Sequence, residues 1–219
     1  MEALREGTAG DLLVSASTIP ATYLVPRWAA AFRVARPQVR VVMRVGDSRE
    51  AETLLVEGAV DLAVTGTRPK PSPRIRAVPL AEDRLVLAVP PGHPLGSRRA
   101  CRPEDLKGLP FLQREPGSGT REEVEVALRR SGLDPERDLS VVCELGSTEA
   151  VREGVKAGLG VAILSHFAVE EARRSGAVRT VPLDGFVGRR TIYLLQPVRD
   201  LPPLARVFGD FLKANSRKL

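Results

Sequence analysis

The sequence has few of the residues on which catalytic and redox sites depend. Its 219 residues include two cysteines, two histidines and one tryptophan, and aromatic residues make up 4% of the chain. Cys101 and Cys143 belong to no CxxC motif or Cys/His cluster, so a structural zinc site has no support. His93 and His166 have no serine or cysteine nearby in a nucleophile-like setting, and the GxSxG, GxGxxG and Walker patterns are absent. We therefore expect no catalytic residues, no metal, no cofactor and no enzymatic activity.

Long apolar runs are also missing. No stretch approaches the roughly 18 uninterrupted apolar residues that a membrane-spanning helix needs. The N-terminus, Met1 to Glu6, is charged and lacks the apolar core of a signal peptide. Contents of 43% hydrophobic and 27% charged residues are those of an ordinary soluble protein. We expect a cytoplasmic protein that has no membrane partner.

The basic residues are not concentrated in one part of the chain. The net charge is +6 and the pI is about 9.9, but the basic residues are spread throughout and no local cluster exceeds two adjacent residues, as at Arg98-Arg99. This distribution, with few stacking aromatics, favours a generally basic surface over a nucleic-acid-binding face. Cys101 lies beside these arginines, a setting that can lower the pKa of a thiol and favour a redox role, but we expect an ordinary solvated loop residue.

One segment of the chain is echoed about a hundred residues later. Residues 46–64 and 146–164 each read as a glycine, a small polar turn, a helix ending at glycine (Gly58 and Gly158) and an apolar strand. Two such units, each preceded by another helix and strand, predict two similar α/β lobes. Paired lobes leave a cleft, and clefts are where small ligands bind.

Hydrophobic periodicity and turn residues predict mostly parallel sheet with crossover helices. The predicted strands cover residues 11–16, 39–45, 61–65, 76–80, 84–90, 110–113, 139–144, 161–164, 178–182 and 190–196. The predicted helices cover residues 19–35, 49–57, 103–106, 120–131, 148–157, 166–175 and 202–214. Pro26 should kink the first helix or mark its true start. With the strands 84–90 and 190–196 as crossovers, lobe I comprises residues 1–86 and 194–219, and lobe II residues 87–193.

Four strand-to-helix turns carry small hydroxyl residues, two in each predicted lobe. They are Ser15-Ala16-Ser17-Thr18, Gly46-Asp47-Ser48, Gly117-Ser118-Gly119-Thr120 and Gly146-Ser147-Thr148. A helix N-terminus offers unpaired N–H groups and a partial positive charge, so hydroxyl-bearing turns there are typical of anion sites. The alternative is plain helix capping, and Asp47 with Glu50 and Thr120 with Glu123 have the spacing of a capping box. Four such turns favour a shared anion site at the strand ends.

Two further features extend this candidate site. Arg114 and Arg121 flank the third turn and can offer a charged fork to a carboxylate or oxyanion. Thr65-Gly66-Thr67 ends the third strand, where it either lines the same cleft or forms an ordinary turn. The candidate effector-binding residues are Ser17, Thr18, Ser48, Thr65, Gly66, Arg114, Gly117, Ser118, Gly119, Thr120, Ser147 and Thr148.

Taken in order, these and other short motifs resemble the effector-binding domain of LysR-type transcriptional regulators along essentially the whole chain. The motifs are GDL at 10–12 with SAS at 15–17, YLVP at 23–26, EGAVDLA at 57–63, PGHPL at 91–95, REPGSGTR at 114–121 and VKAGLGVAIL at 155–164. The run at 114–121 looks most like regulators of sulfur assimilation or carbon fixation.

The resemblance implies a fold and a function. The fold is two Rossmann-like lobes joined by two crossover strands, as in type 2 periplasmic binding proteins. The function is the binding of a small, often anionic effector in the cleft, which controls DNA binding and transcription by the full-length protein. The family also implies a homodimer or higher homo-oligomer that pairs lobe I of one chain with lobe II of another.

One feature of the family is missing from the sequence. Its N-terminal winged helix-turn-helix is absent, and Glu2 to Gly7 resembles the tail of the linker helix that follows it. We therefore expect this chain not to read DNA by itself, and DNA to be a partner only through that N-terminal domain. The alternative function is a solute-binding protein of a transport system, which would use the same kind of cleft.

Overall fold

The computed structural model of the protein describes residues 9–216. The strands are β1 (Gly10–Ser17), β2 (Val39–Gly46), β3 (Leu62–Thr65), β4 (Ile75–Val89), β5 (Pro110–Arg114), β6 (Ser140–Leu145), β7 (Ala162–Ser165), β8 (Arg179–Val181) and β9 (Arg189–Pro197). The α-helices are α1 (Val25–Ala35), α2 (Ser48–Glu57), α3 (Gly119–Arg130), α4 (Pro135–Asp138), α5 (Thr148–Lys156), α6 (His166–Arg174) and α7 (Pro203–Asn215). The resemblance of Glu2 to Gly7 to a linker helix falls outside the described residues.

The chain forms two compact units. Unit 1 contains the described residues up to Glu82 and those from Thr191 onward, and unit 2 runs from Asp83 to Arg190. The chain passes between the units twice, within β4 and within β9. The sequence placed these two passages at 86/87 and 193/194, a few residues further along the same strands.

Unit 1 is built on a parallel sheet. β1 pairs in parallel with β2 along its whole length and with β3 near its end, and β9 pairs antiparallel with β3. α1 and α7 cover one part of the core, where the rings of Phe32 and Phe208 meet edge to face at 4.9 Å. α1 begins at Val25 with Pro26 in its first turn, after a π-helical segment at Pro20–Leu24. The expectation that Pro26 marks the true helix start is confirmed.

Unit 2 repeats the parallel pairing and adds antiparallel strands. β5 pairs in parallel with β6, whereas β7 and β8 both pair antiparallel with β4. Gly160 brings β5 against the start of β7, because a Cβ on Gly160 would stand 2.4 Å from the carbonyl oxygen of Pro110. That close approach allows the amide of Val161 to donate to the same carbonyl at 2.8 Å.

The echo predicted from the sequence is confirmed in three dimensions. β3 and β7 each have four residues and begin at equivalent positions, 62 and 162, and α2 and α5 begin at Ser48 and Thr148. Each of these helices is preceded by a capping residue, Asp47 or Ser147, whose side chain accepts a hydrogen bond from the amide three residues later.

Three local expectations were wrong. The strands predicted at 76–80 and 84–90 are one continuous strand, β4. The loop before β5 has a 3-10 turn at Pro94–Ser97 besides the predicted one at Pro103–Leu106, and the short helix α4 was not predicted. None of the helices within residues 9–216 is long and apolar enough to cross a membrane.

Candidate functional site

The turn between β5 and α3 is a helix start in unit 2 that has no side-chain cap. Gly117 has a φ of +86°, which only glycine adopts without strain, and it turns the chain so that Ser118 becomes the N-cap of α3. The carbonyl of Ser118 accepts the first helical hydrogen bond, from Glu122. As at any helix start, the amides of Gly119 and Thr120 have no helical acceptor.

Ser118 is buried but its hydroxyl does not cap the helix. The residue is 4% exposed, and within residues 9–216 its hydroxyl has no hydrogen-bond partner. Among the described residues, the side-chain atoms that have neither a partner nor solvent exposure are on Arg36 and Arg190. The Ser118 oxygen is not among them, so it keeps some contact with solvent. A helix N-terminus with an unpaired, inward-lying hydroxyl is suited to an anion. The predicted capping box of Thr120 with Glu123 is not formed, because the N-cap is Ser118.

The neighbouring helix start, at α5, is satisfied internally. The hydroxyl of Ser147 accepts from the amide of Ala150 at 3.0 Å, which is the capping alternative considered for these turns. Thr148 is fully buried, and its Oγ1 accepts a 2.7 Å hydrogen bond from Nη1 of Arg114.

The two arginines that flank the α3 turn are engaged within unit 2. Arg114 is 5% exposed and binds both carboxylate oxygens of Glu115 at 2.6 Å. Arg121 donates to the carboxylates of Glu125 and Glu144 and to the carbonyl of Arg114. Burial alone would lower the pKa of Arg121, but the hydrogen bonds to the two carboxylates outweigh it and raise that pKa. Both guanidinium groups are therefore already paired with carboxylates of unit 2, and their hydrogen bonds hold the turn in place.

Thr120 has a partner that the sequence did not suggest. Its Oγ1 accepts from Nη1 of Arg190 at 3.3 Å, and Nε of Arg190 donates to Asp83 at 2.8 Å. The second carboxylate oxygen of Asp83 accepts from the hydroxyl of Ser165 at 2.9 Å. Asp83, Ser165 and Arg190 were not predicted as functional; the signals for them were charged residues within strands, Asp83 in β4 and Arg190 near the start of β9.

In unit 1, the ends of β1 and β3 are tied together by their hydroxyl residues. The amide of Gly66 donates to the hydroxyl of Ser17 at 3.0 Å, and the hydroxyl of Thr65 donates to the carbonyl of Thr67 at 2.9 Å. Thr18 and Ser48 are half-buried, and within the described chain their hydroxyls make no hydrogen bond. Thr18 and Ser48 are therefore the open hydroxyls among the predicted site residues of unit 1.

The cysteine and histidine environments are structural. Burial raises the pKa of the Cys101 thiol, Asp105 adds to the rise, and Arg98 only partly offsets it, so the nearby arginines do not activate the thiol. The expectation of a solvated loop residue was wrong, because Cys101 is 3% exposed. Nδ1 of His93 accepts from the amide of Leu95 at 3.2 Å, as a turn residue does. His166 opens α6 and lies 3.8 Å from Glu170. Within residues 9–216, no group of three or more His, Cys, Asp or Glu side chains is placed to hold a metal ion.

Comparison with known proteins identifies relatives along nearly the whole chain. A probable RuBisCO transcriptional regulator of Trichormus variabilis is 33% identical over 213 residues, which are 96% of this chain and 63% of that protein. An HTH-type transcriptional regulator of Methanocaldococcus jannaschii is 32% identical over 97% of this chain and 71% of its own length. The chain thus spans less than two thirds of the first of these relatives.

Solved structures of regulatory domains share the fold of this chain. The regulatory domain of CcmR from Synechocystis PCC6803, in complex with 2-PG, has a TM-score of 0.85 at 24% identity, over 96% of this chain and 99% of that domain. This likeness confirms the predicted fold class. The family model of the LysR substrate binding domain matches residues 5–217. The chain belongs to the family of LysR substrate binding domains.

Proposed function

We propose that the chain is the effector-sensing domain of a transcriptional regulator and that a small oxyanion or carboxylate binds at the first turn of α3. The observation that carries the proposal is Ser118, a buried residue at the start of a twelve-residue helix whose unpaired hydroxyl keeps some contact with solvent. An anion there would accept hydrogen bonds from this hydroxyl and from the free amides of Gly119 and Thr120.

The hydrogen-bond partners divide the predicted site residues into two groups. In unit 2 the proposal assigns effector contact to Gly117, Ser118, Gly119 and Thr120, and a positioning role to Arg114, Ser147 and Thr148, whose polar groups hold one another or the backbone. In unit 1 it assigns a positioning role to Ser17, Thr65 and Gly66 and leaves Thr18 and Ser48 as the open hydroxyls.

Titration calorimetry with sulfate, inorganic phosphate and 2-PG tests the anion site. 2-PG is included because the related Synechocystis domain binds it. Charge-assisted hydrogen bonds contribute roughly 1.5–3 kcal/mol each, so Ser118→Ala should weaken binding about ten- to a hundredfold. Ser131→Ala is the matched control: Ser131 lies at the other end of α3, where its hydroxyl donates to the carbonyl of Leu128. Equal affinities for both variants and the wild type would place the effector elsewhere.

The relatives are longer than the matched segment, and we extend the proposal to a full-length protein of the same kind. We propose that an N-terminal winged helix-turn-helix reads DNA, that the domains associate as homodimers, and that the protein works in the cytoplasm, where the DNA is. Light scattering should then give a mass above 23.7 kDa for this chain. The transporter alternative would use the same turn, but the relatives are regulators of transcription. Turnover of a bound effector, followed by mass spectrometry, would contradict the expectation that the domain is not an enzyme.

A further inference from the structure

A buried polar chain lies behind the α3 turn in unit 2. Asp83 and Arg190, the first and last residues of this unit, form an ion pair whose side chains are 0% and 4% exposed. Nε of Arg190 donates to Oδ2 of Asp83, and Nη2 lies 2.8 Å from the same oxygen without being oriented to donate. Ser165 donates to Oδ1, so both carboxylate oxygens are occupied.

The chain of contacts ends at Thr120. Nη1 of Arg190 donates to the Thr120 hydroxyl oxygen at 3.3 Å, and Thr120 is the second residue of α3, next but one to Ser118. A guanidinium carries only donors, so the Thr120 oxygen must act as the acceptor in this contact. The proton of the Thr120 hydroxyl then points away from Arg190 and remains available for another acceptor.

The direction of this hydroxyl is fixed by burial. Arg190 stays paired with Asp83, because separating the two buried charges would be strongly destabilising. The Thr120 oxygen therefore always accepts from Arg190, which takes one of its two lone pairs and leaves its proton for another acceptor. A hydroxyl that accepts from a cation is a stronger donor and a weaker acceptor, so it favours a ligand atom that only accepts hydrogen bonds over one that carries a proton.

We propose that Arg190, held by Asp83, is a positioning and specificity-determining residue for the effector: it acts through Thr120 and selects fully ionised oxyanions over ligands that present a proton. This inference rests on the proposed function, since it concerns the same turn. It assigns no contact between Arg190 and the effector. Arg190 instead changes effector affinity by orienting the Thr120 hydroxyl, to which it donates.

A thermodynamic cycle tests this coupling with sulfate as the probe. Asp83→Asn/Arg190→Met removes both charges together and leaves Ser165 an acceptor, so no buried charge is orphaned. This pair variant and Thr120→Val should each weaken sulfate binding about tenfold, the loss expected for one charge-assisted hydrogen bond. The triple variant should be no weaker than Thr120→Val, because a residue that acts through Thr120 has no effect once its hydroxyl is gone.

Selectivity provides a readout that a merely structural role would not change. At mildly acidic pH phosphate retains protons and sulfate does not, so the wild type should prefer sulfate. The preference should shrink in the pair variant, where both lone pairs of the Thr120 oxygen are free and no cation polarises the hydroxyl. Should the pair variant fail to fold, Arg190→Lys keeps the charge, shortens the reach to Thr120 and should show the same loss of preference.

The outcomes separate the inference from the proposed function. A further loss of sulfate affinity in the triple variant beyond Thr120→Val, or unchanged sulfate binding and selectivity in the pair variant, overturns the role of Arg190 while leaving the anion site intact. A wild type that binds neither sulfate nor phosphate removes the anion site and this inference with it.

Discussion

Arg114 donates a 2.7 Å hydrogen bond from Nη1 to Oγ1 of Thr148, and so joins the end of β5 to the start of α5. Both residues are buried, and the remaining donors of Arg114 hold Glu115. The contact links two of the hydroxyl turns predicted from the sequence and explains why Thr148 is sealed from solvent.

Removing the Thr148 hydroxyl should destabilise the domain. Thr148→Val keeps the shape of the side chain but leaves Nη1 of buried Arg114 without its acceptor, which costs about 1–3 kcal/mol. Thr148→Ser keeps the hydroxyl and should lose much less. Urea unfolding of the two variants measures the difference in free energy of unfolding, and equal values for both would show that the Arg114 contact contributes nothing.

Ser147→Ala should act as the loss of a helix cap. The amide of Ala150 would lose its acceptor, and such losses cost about 1 kcal/mol. The melting temperature without ligand should fall, whereas the increase caused by sulfate should stay close to that of the wild type. Ser140→Ala, at the exposed start of β6, is the control for a serine replaced without loss of a cap. A variant that melts normally but loses its sulfate response would make Ser147 an effector ligand.

Glu123→Gln should raise stability at neutral pH. Burial raises the pKa of Glu123, and the charge of Arg190 offsets only part of that rise. A carboxyl whose pKa is higher in the folded state than in the unfolded state destabilises the fold once it is ionised, so its cost is present above the folded-state pKa. The advantage of the Gln variant should vanish below the unfolded-state pKa of about 4.3.

Thermal melts from neutral to acidic pH measure this effect. Glu104→Gln, at an exposed position of the same unit, is the control. A gap between Glu123→Gln and the wild type that widens as the pH falls would contradict the assigned direction of the shift.

Gly160→Ala should be strongly destabilising. The added Cβ would stand 2.4 Å from the carbonyl oxygen of Pro110, a rigid backbone atom, and must push β5 away from the start of β7. Overpacking of this kind costs about 1–3 kcal/mol. Gly146→Ala is the matched control, because a Cβ there meets nothing within 4 Å and the φ of Gly146 is not positive. The prediction fails if the two variants unfold at the same urea concentration.

The sequence predicted those parts of the fold that depend on local pattern. Apolar runs, glycines such as Gly58 and small polar turns decide where β3, α2, β7 and α5 begin and end, so the echo of the two units could be read from residues alone. The same reasoning divided β4 into two strands, because Glu82 and Asp83 interrupt its apolar run. The charge of Asp83 is tolerated inside the strand because Arg190, 107 residues away, neutralises it, and no local pattern contains that partner.

The site was predicted as four similar turns, and long-range partners make them different. Ser147 and Ser118 look alike in sequence, but the side chain of Ser147 reaches the amide of Ala150 whereas that of Ser118 reaches no donor. The backbone angles of the residue decide this: Ser147 is fully extended, with a φ of −149°, and Ser118 has a φ of −67°. Such angles follow from how β5 enters the turn and are not set by residue type.

If the effector binds at the start of α3 as proposed, the unfilled cap makes ligand binding and the local ordering of this helix one event. A helix start whose amides lack acceptors frays easily, and exchange of its amide hydrogens with solvent is correspondingly fast. An anion that accepts from these amides and from Ser118 would complete the helix in place of a side chain. Hydrogen exchange at Gly119 to Arg121 should then slow when sulfate is added, while the first turn of α5, which carries its own cap, exchanges at an unchanged rate. The effector would thus be sensed as a change in the order of one helical turn, before any larger movement of the protein.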